Sequence, residues 1–205
     1  MSADAGIIER VEDTQFLANA YLVAERPGGK GVLVDGNERV EELVRRAAAD
    51  GIEITHVLLT HHHIDHVVGI GELAARFAVP VVAHPLTAEL LEPGLVTQTI
   101  ADGGVVSSGR LEIEALFTPG HAPGHLAFLV GGDCLTADVL FRGTVGGTRS
   151  PGGSYPALRH SVMERLLTLP PDTRVHPGHR EATTVAAEWE TNPFVRVWRG
   201  LDPEG

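Results

Sequence analysis

The chain has 205 residues, 43% of them hydrophobic, which suits one domain with a sizeable core. Its formal net charge of −11 and the lack of any Lys/Arg run argue against a nucleic-acid-binding protein. No apolar stretch approaches the ~20 residues of a membrane span, no signal peptide is recognisable, and Cys134 is the single cysteine, so we expect a cytoplasmic protein that acts on a small molecule without membrane partners.

The first half of the chain alternates predicted strands with predicted helices. Apolar positions spaced as on one helical face predict a helix over 37–51, with Asn37 as candidate N-cap and Gly51 after its last turn. A second helix is predicted over 67–78. Short apolar runs rich in β-branched residues predict strands at 6–11, 19–25, 31–36, 54–60 and 79–84.

The second half repeats this alternation. Its predicted elements are a strand over 110–118, a hairpin over 125–141, a helix over 155–169, a strand over 173–179 and a helix over 183–191. The hairpin is expected to turn at Gly131–Gly132, and Ser154 is the candidate cap of the helix that follows it. The Gly-rich loop 142–154 has the length of a functional loop. No linker divides the chain, so the predicted class is α/β, most simply two sheets covered by helices.

The segment LLTHHHIDHVVG places four histidines and one aspartate within six positions. Alternation of side chains after a strand turns His61 and His63 to one side and leaves His62 pointing away. Asp65 and His66 lie where the chain enters a helix, so they are aimed differently. Neutral imidazole and carboxylate suit Zn²⁺, with Fe or Mn as alternatives, and this motif predicts ligands for two neighbouring divalent ions.

Three further strand ends supply more ligand candidates. In TPGHAPGH a Pro-Gly turn exposes His121, and His125 is a candidate to orient a ligand or the turn. Asp138 is a carboxylate inside an otherwise apolar strand, where a cation or an ion pair must offset its burial. His179 again follows Pro-Gly after a strand. These positions predict one site at a single rim of the sheets.

The motifs resemble those of the metallo-β-lactamase superfamily, and within it the glyoxalase II-like (hydroxyacylglutathione hydrolase-like) branch. The resemblance rests on THHHIDH, TPGHAPGH, LTADVLF and PGH…TT…E…NPF, in this order and spacing, over nearly the full chain. It implies an αββα four-layer sandwich with a dinuclear metal site at one edge of the two sheets. It assigns one ion to His61, His63 and His121 and the other to Asp65, His66 and His179, with Asp138 bridging them. The residues alone mark the same seven side chains but leave their pairing open.

The resemblance implies a metal-dependent hydrolase of a small ester or thioester. Two cations that share a water lower its pKa from ~15.7 toward neutrality, giving a metal-bridged hydroxide that attacks a carbonyl. Asp65 is the candidate proton acceptor, and Asp138 is the candidate catalytic bridge. A thiolate leaving group needs little acid assistance, because thiol pKa values lie near ~8.5. No Ser or Cys nucleophile is required, and Cys134 is predicted to serve packing.

The sequence departs from the branch in GGTRSPGG, where the usual pattern resembles GRTDLPGG. Gly147 replaces a basic residue, and Arg149 is a candidate substrate contact from a shifted position. Arg180, after the last histidine motif, is a second candidate, and Ala137 stands where Gly is usual. The chain ends before the C-terminal helical region that binds glutathione in full-length glyoxalase II. We therefore expect one hydrolase domain over 1–205, without strong glutathione selectivity.

Three alternative functions are compatible with the residues. A lactone hydrolase uses the same centre and predicts turnover of acyl lactones over thioesters. A persulfide dioxygenase would hold one iron through the first histidine set and an Asp138-type ligand, although the complete second set argues against it. A metal-binding scaffold with a decayed substrate pocket would bind metal without turnover. The sequence does not specify the oligomeric state.

Overall fold

Two six-stranded sheets form the centre of the protein. The structure is a computed structural model that describes residues 6–203. The first sheet consists of β1 (Ile7–Glu12), β2 (Asn19–Ala24), β3 (Lys30–Val34), β4 (Glu53–Leu58), β5 (Val81–Ala83) and β6 (Gln98–Thr99). Its strands lie in chain order, antiparallel from β1 to β3 and parallel from β3 to β6.

The second sheet is built from the other half of the chain. It consists of β7 (Val105–Ser108), β8 (Leu111–Phe117), β9 (Leu126–Val130), β10 (Asp133–Ala137), β13 (Arg174–Pro177) and β14 (Thr183–Thr184). Between β10 and β13, the chain forms a separate two-stranded sheet of β11 (Leu140–Phe141) and β12 (Thr144–Val145). The sheet order is β14-β13-β10-β9-β8-β7, and the parallel pair β10–β13 brings two strand ends side by side.

Helices cover the outer face of each sheet. They are α1 (Val40–Ala49), α2 (Ile64–Val67), α3 (Ile70–Phe77), α4 (Pro85–Ala88), α5 (Tyr155–His160), α6 (Val185–Thr191) and α7 (Pro193–Trp198), with a π-helical segment Ser161–Leu166 continuing α5. Within residues 6–203, none of these helices has the length and apolar character needed to cross a bilayer.

Three apolar clusters separate four layers. The central one joins the two sheets, for example through Val32 and Leu58 of the first and Phe128 of the second. The outer clusters pack α1 and α3 on the first sheet, and the α5 region and α7 on the second. β2 is buried along its whole length because both of its faces are covered. The predicted αββα sandwich is confirmed.

Local signals at turns and caps were largely correct. Gly51 follows α1 with φ of 63°, and the Ser154 hydroxyl accepts a bond from the Ala157 amide. β9 and β10 form the hairpin predicted around Gly131–Gly132. Asn37 lies before the cap position of α1, which is Arg39, but its side-chain oxygen accepts from the Arg39 amide (2.9 Å) in the turn that leads into the helix. Its buried side-chain amide also donates to the carbonyl oxygen of Ala18, so it ties the β1–β2 hairpin to the helix entry.

Several element boundaries differ from the prediction. β4 ends at Leu58 rather than at Thr60, because the Thr60 carbonyl turns to accept a hydrogen bond from Leu126 in the second sheet. The helix predicted over 67–78 corresponds to α3, which begins only at Ile70, because Gly69 in the left-handed region separates it from the short helix α2. Asp138 does not lie inside a strand but directly follows β10. Periodicity also missed α7, which is too short for a helical repeat to be visible.

Cys134 lies in the apolar cluster under α5 and is fully buried. Burial raises its thiol pKa to about 12, so the group is a neutral thiol at pH 7. We expect a disulfide reagent such as DTNB to label it only after unfolding. Cys134→Ser should cost about 1–3 kcal/mol of stability, because it buries a hydroxyl, while leaving turnover nearly unchanged. Rapid labelling of the folded protein, or loss of turnover by a folded Cys134→Ser variant, would contradict this.

Candidate metal centre

Four chain segments converge at one rim of the two sheets. The segment after β4 carries His61 and His63 and continues into α2, which carries Asp65 and His66. Three more segments follow strand ends: His121 comes after β8, Asp138 after β10, and His179 after β13. Because the carboxyl ends of parallel neighbours β10 and β13 meet at one edge, Asp138 and His179 become adjacent.

The first predicted ligand set consists of three imidazoles whose nitrogens face one another. His63 Nδ1 lies 3.1 Å from His61 Nε2 and 2.8 Å from His121 Nε2. One ligand atom from each ring lies within 4.8 Å of the others. His61 and His63 thus converge, as their spacing predicts, although β4 ends at Leu58 and both lie in the segment that follows it.

The second predicted set is mixed. The Asp65 carboxylate lies 3.4 Å from His179 Nε2 and 3.6 Å from His66 Nε2. Asp138 lies between the two sets, with carboxylate oxygens 3.4 Å from His66 Nε2, 3.3 Å from His179 Nε2 and 3.5 Å from His121 Nε2. Ligand atoms of a tetrahedral zinc ion lie about 3.3 Å apart, since each Zn–N bond is about 2.0 Å long. The spacing therefore suits metal ligation.

In three of these rings, the nitrogen that faces away from the centre is held by a fixed partner. His121 Nδ1 donates to the carbonyl oxygen of Gly147 (2.8 Å), and His179 Nδ1 to that of Leu17 (2.9 Å), because a carbonyl only accepts. His66 Nδ1 donates to a carboxylate in the same way. Each inward nitrogen is thereby left to bind a proton or a metal ion.

The partner of His66 is Asp35, which sequence reasoning missed. Asp35 is buried, follows β3 with φ of 58°, and accepts from the Thr60 amide (2.8 Å) and hydroxyl (2.7 Å) as well as from His66 (3.0 Å). The Thr60 oxygen in turn lies 3.0 Å from His61 Nδ1, so one carboxylate orients a ring of each set. The available signal was an aspartate at the end of an apolar strand, the same signal that marked Asp138.

His125 contacts the site through a backbone group. Its Nε2 accepts from the Asp138 amide (3.3 Å), and its Nδ1 lies 2.9 Å from the Thr118 hydroxyl. Burial lowers the pKa of His125 well below its ordinary value, so the ring is neutral and able to accept. This places His125 where the sequence predicted an orienting residue; that role remains a prediction.

The two sets differ in electrostatics. Burial, together with the neighbouring His121, lowers the pKa of His63 to about 4, and burial holds that of His61 well below its usual range. Burial also lowers the pKa of His179, but the adjacent Asp138 and Asp65 carboxylates outweigh it and raise the value to about 10. The first set therefore offers free lone pairs, and the second offers negative charge. Both properties attract cations.

Among the atoms of residues 6–203, two buried ones at the centre have no hydrogen-bond partner. They are His66 Nε2 and Asp138 Oδ1, which face each other across 3.4 Å. Leaving buried polar groups unpaired costs about 1–3 kcal/mol each, so native sites rarely do so without a ligand. The donor set, its spacing and these unpartnered atoms fit divalent metal ions. His62, whose ring lies beside His63, belongs to none of the metal-binding groups among the described residues, in line with its predicted direction.

Small residues allow the backbone to approach this centre. A Cβ on Gly178 would lie 2.1 Å from Asp138 Oδ1, and one on Gly146 would overlap the Asp138 carbonyl. Ala137, where the resemblance leads one to expect Gly, has φ of 41°, a conformation that glycine adopts without strain.

The two predicted substrate contacts flank the centre. Arg149 is exposed and lines a cavity beside His121. Arg180 is exposed next to His179 and has φ of 71°. Its carbonyl, rather than its guanidinium, is used by the fold, since it accepts from Asn19 and Arg10. Substrate contact by either arginine stays a prediction.

Comparison with known proteins identifies the family. A profile of the metallo-beta-lactamase superfamily matches residues 13–179. The chain belongs to this superfamily. A probable metallo-hydrolase YqgX of Bacillus subtilis is 34% identical over 87% of the chain and 92% of its own length. A hydroxyacylglutathione hydrolase of Rhodopseudomonas palustris is also 34% identical, over 87% of the chain and 67% of its own length.

Solved structures agree with this family assignment. ETHE1 from Myxococcus xanthus superposes with a TM-score of 0.84 and 28% identity, covering 97% of this chain and 92% of its own. TTHA1623 in a di-iron-bound form superposes with a TM-score of 0.79 and 36% identity, covering 91% and 99%. The predicted resemblance is confirmed, and the protein is a hydrolase of the metallo-beta-lactamase superfamily, a family that binds divalent metal ions.

Proposed function

We propose that this superfamily member hydrolyses small esters or thioesters with a dinuclear metal centre. The observation that carries the proposal is the joint arrangement of both ligand sets around Asp138, with outer nitrogens already committed to other partners. A site with one ion would have no use for the complete second set of Asp65, His66 and His179.

The residues divide the work of binding. His61, His63 and His121 would hold one ion, Asp65, His66 and His179 the other, and Asp138 would contact both. When bound, the ions supply a Lewis acid for a carbonyl oxygen and lower the pKa of water toward neutrality. Zn²⁺ suits these ligands best, and Fe or Mn is the alternative; TTHA1623 has been solved in a di-iron form.

Proton transfer falls to Asp65 in this proposal. Its side chain is half-buried, and although burial raises its pKa, the contact with His179 and the charge of His66 lower it overall. It is therefore ionised and able to accept the proton of the attacking water. In this proposal Asp35 positions His66 and His125 positions Asp138, each through one hydrogen bond. A thiolate, with a thiol pKa near ~8.5, leaves without a protein acid.

A substrate screen with metal analysis tests the proposal. We expect two metal ions per chain and turnover of S-lactoylglutathione or simpler thioesters and esters by the wild type, lost on treatment with a chelator and restored by Zn²⁺ or Fe²⁺. Preference for acyl lactones over every thioester and ester would overturn the assigned substrate class. One iron per chain with oxygen consumption on a persulfide would indicate the dioxygenase, and full metal occupancy without any turnover the decayed scaffold.

A further inference from the structure

A cavity of about 470 Å³ opens directly beside the first ligand set. Its volume lies within the range of small-molecule sites, which is about 300–1,000 Å³. Its lining includes His121, Val145, Gly147, Arg149, Tyr155 and Phe194. His121 connects the cavity with the metal centre, because the carbonyl of Gly147 binds its ring.

One wall of the cavity is aromatic. Tyr155 and Phe194 lie on α5 and α7, 48% and 38% exposed. Trp198 joins them, donating from Nε1 to the Tyr155 hydroxyl oxygen (2.8 Å) and packing with its ring centroid 6.2 Å from that of Phe194. Exposed aromatic surface inside a concavity costs free energy in water, which a ligand with an apolar group would recover.

This wall is fixed to the loop opposite it. Asn192, fully buried, accepts from the Phe194 amide (3.1 Å) and donates to the carbonyl of Thr144 (3.1 Å), at the start of the loop that forms the other wall. The Glu188 carboxylate accepts a second bond from Asn192 (2.8 Å). The start of α7, which carries Phe194, is therefore tied to the loop by a buried hydrogen-bond network.

The opposite wall leaves room for a ligand. A Cβ on Gly147 would meet no atom within 4 Å, so the loop backbone faces open space there. The cavity is thus bounded by rings on one side and by a bare backbone on the other, next to a metal ligand. That shape suits a flat apolar group, and three polar residues of the lining, Thr148, Arg149 and Ser150, lie on the loop side.

We propose that this cavity selects substrates with an aryl-sized apolar group next to the scissile bond, and that Phe194 is the specificity-determining residue. This inference rests on the proposed function, since it names the substrate class of that site. It predicts that the ratio of kcat/KM for aryl substrates to kcat/KM for methyl substrates changes when Phe194 is replaced.

Steady-state kinetics on matched thioesters test the inference. The substrates are phenylacetyl-N-acetylcysteamine and S-phenyl thioacetate, which carry the ring on either side of the bond, and acetyl-N-acetylcysteamine, which carries none. Phe194→Ala should lower kcat/KM about tenfold for at least one aryl substrate, from lost apolar contact, and change the methyl substrate less than about twofold. Phe194→Leu should restore part of the loss. Differences in intrinsic reactivity between the thioesters do not affect the result, because each substrate is compared with itself across the protein variants.

A binding measurement separates this inference from the proposed function. Calorimetry with phenylacetate and acetate on the metal-loaded protein should show tighter binding of phenylacetate, lost in Phe194→Ala and retained in Leu90→Ala. Leu90 is the control, because it is an exposed apolar residue that does not line the cavity. If no thioester is turned over but this difference is found, only the proposed function fails. Equal binding of both acids, or a Phe194→Ala effect on oligomeric state alone, would overturn the inference.

Discussion

Asp138→Ala should remove the bound metal and lower kcat/KM by at least about 10²-fold, because changes in outer partners alone already cost about 10–100-fold. Its two carboxylate oxygens lie within 3.5 Å of His66, His121 and His179, so one side chain serves both ligand sets. In the proposed centre, its removal takes one ligand from each ion. Metal content per chain and thioester turnover are the measurements.

His121→Ala isolates the first set. It deletes one of three imidazoles while leaving Asp65, His66 and His179 in place, so we expect one ion per chain to be lost rather than both. His160→Ala is the matched control, since His160 is an exposed histidine at the end of α5 outside the described metal-binding groups. If Asp138→Ala and His121→Ala retain metal and activity as well as His160→Ala does, the ligand assignment is wrong.

Gly178→Ala should disable the same centre without changing any ligand. The added methyl carbon would lie 2.1 Å from Asp138 Oδ1 and 2.9 Å from His66 Cε1, closer than non-bonded atoms approach, so both side chains must move. The strand cannot retreat easily, because the Gly178 carbonyl accepts from Asn19 and its amide donates to Ala137. We expect metal affinity to fall about 10–100-fold and stability by about 1–3 kcal/mol.

Gly132→Ala provides the comparison for this substitution. Gly132 lies in the β9–β10 turn at the far end of β10, and a Cβ there meets no atom within 4 Å. It should retain metal content and melt within a few degrees of the wild type. Titration of zinc into each metal-free variant gives the affinity, and circular dichroism verifies the fold. Wild-type zinc affinity in Gly178→Ala would show that the Asp138 position is less constrained than the structure indicates.

Much of the site could be predicted because each ligand stands in a local pattern. Pro-Gly turns before His121 and His179, and Asp138 after an apolar run, are visible in the chain without knowledge of the fold. Asp35 carries a similar signal but was not recognised, since its role depends on where His66 and Thr60 lie in space. The aromatic wall was missed for a related reason: Tyr155 lies on α5 and Phe194 and Trp198 lie on α7, two helices that are distant in the chain and meet only in the folded protein.

The sequence by itself determined the class of fold, the histidine-rich motif and the set of seven side chains able to bind metal, because hydrophobic periodicity and residue chemistry are local properties. The tertiary structure decided which of these side chains face one another, where β4 ends, and which segments line the cavity beside His121. Those features depend on hydrogen bonds between distant segments, such as Thr60 with Leu126 and Asn192 with Thr144, and no local pattern encodes such distances.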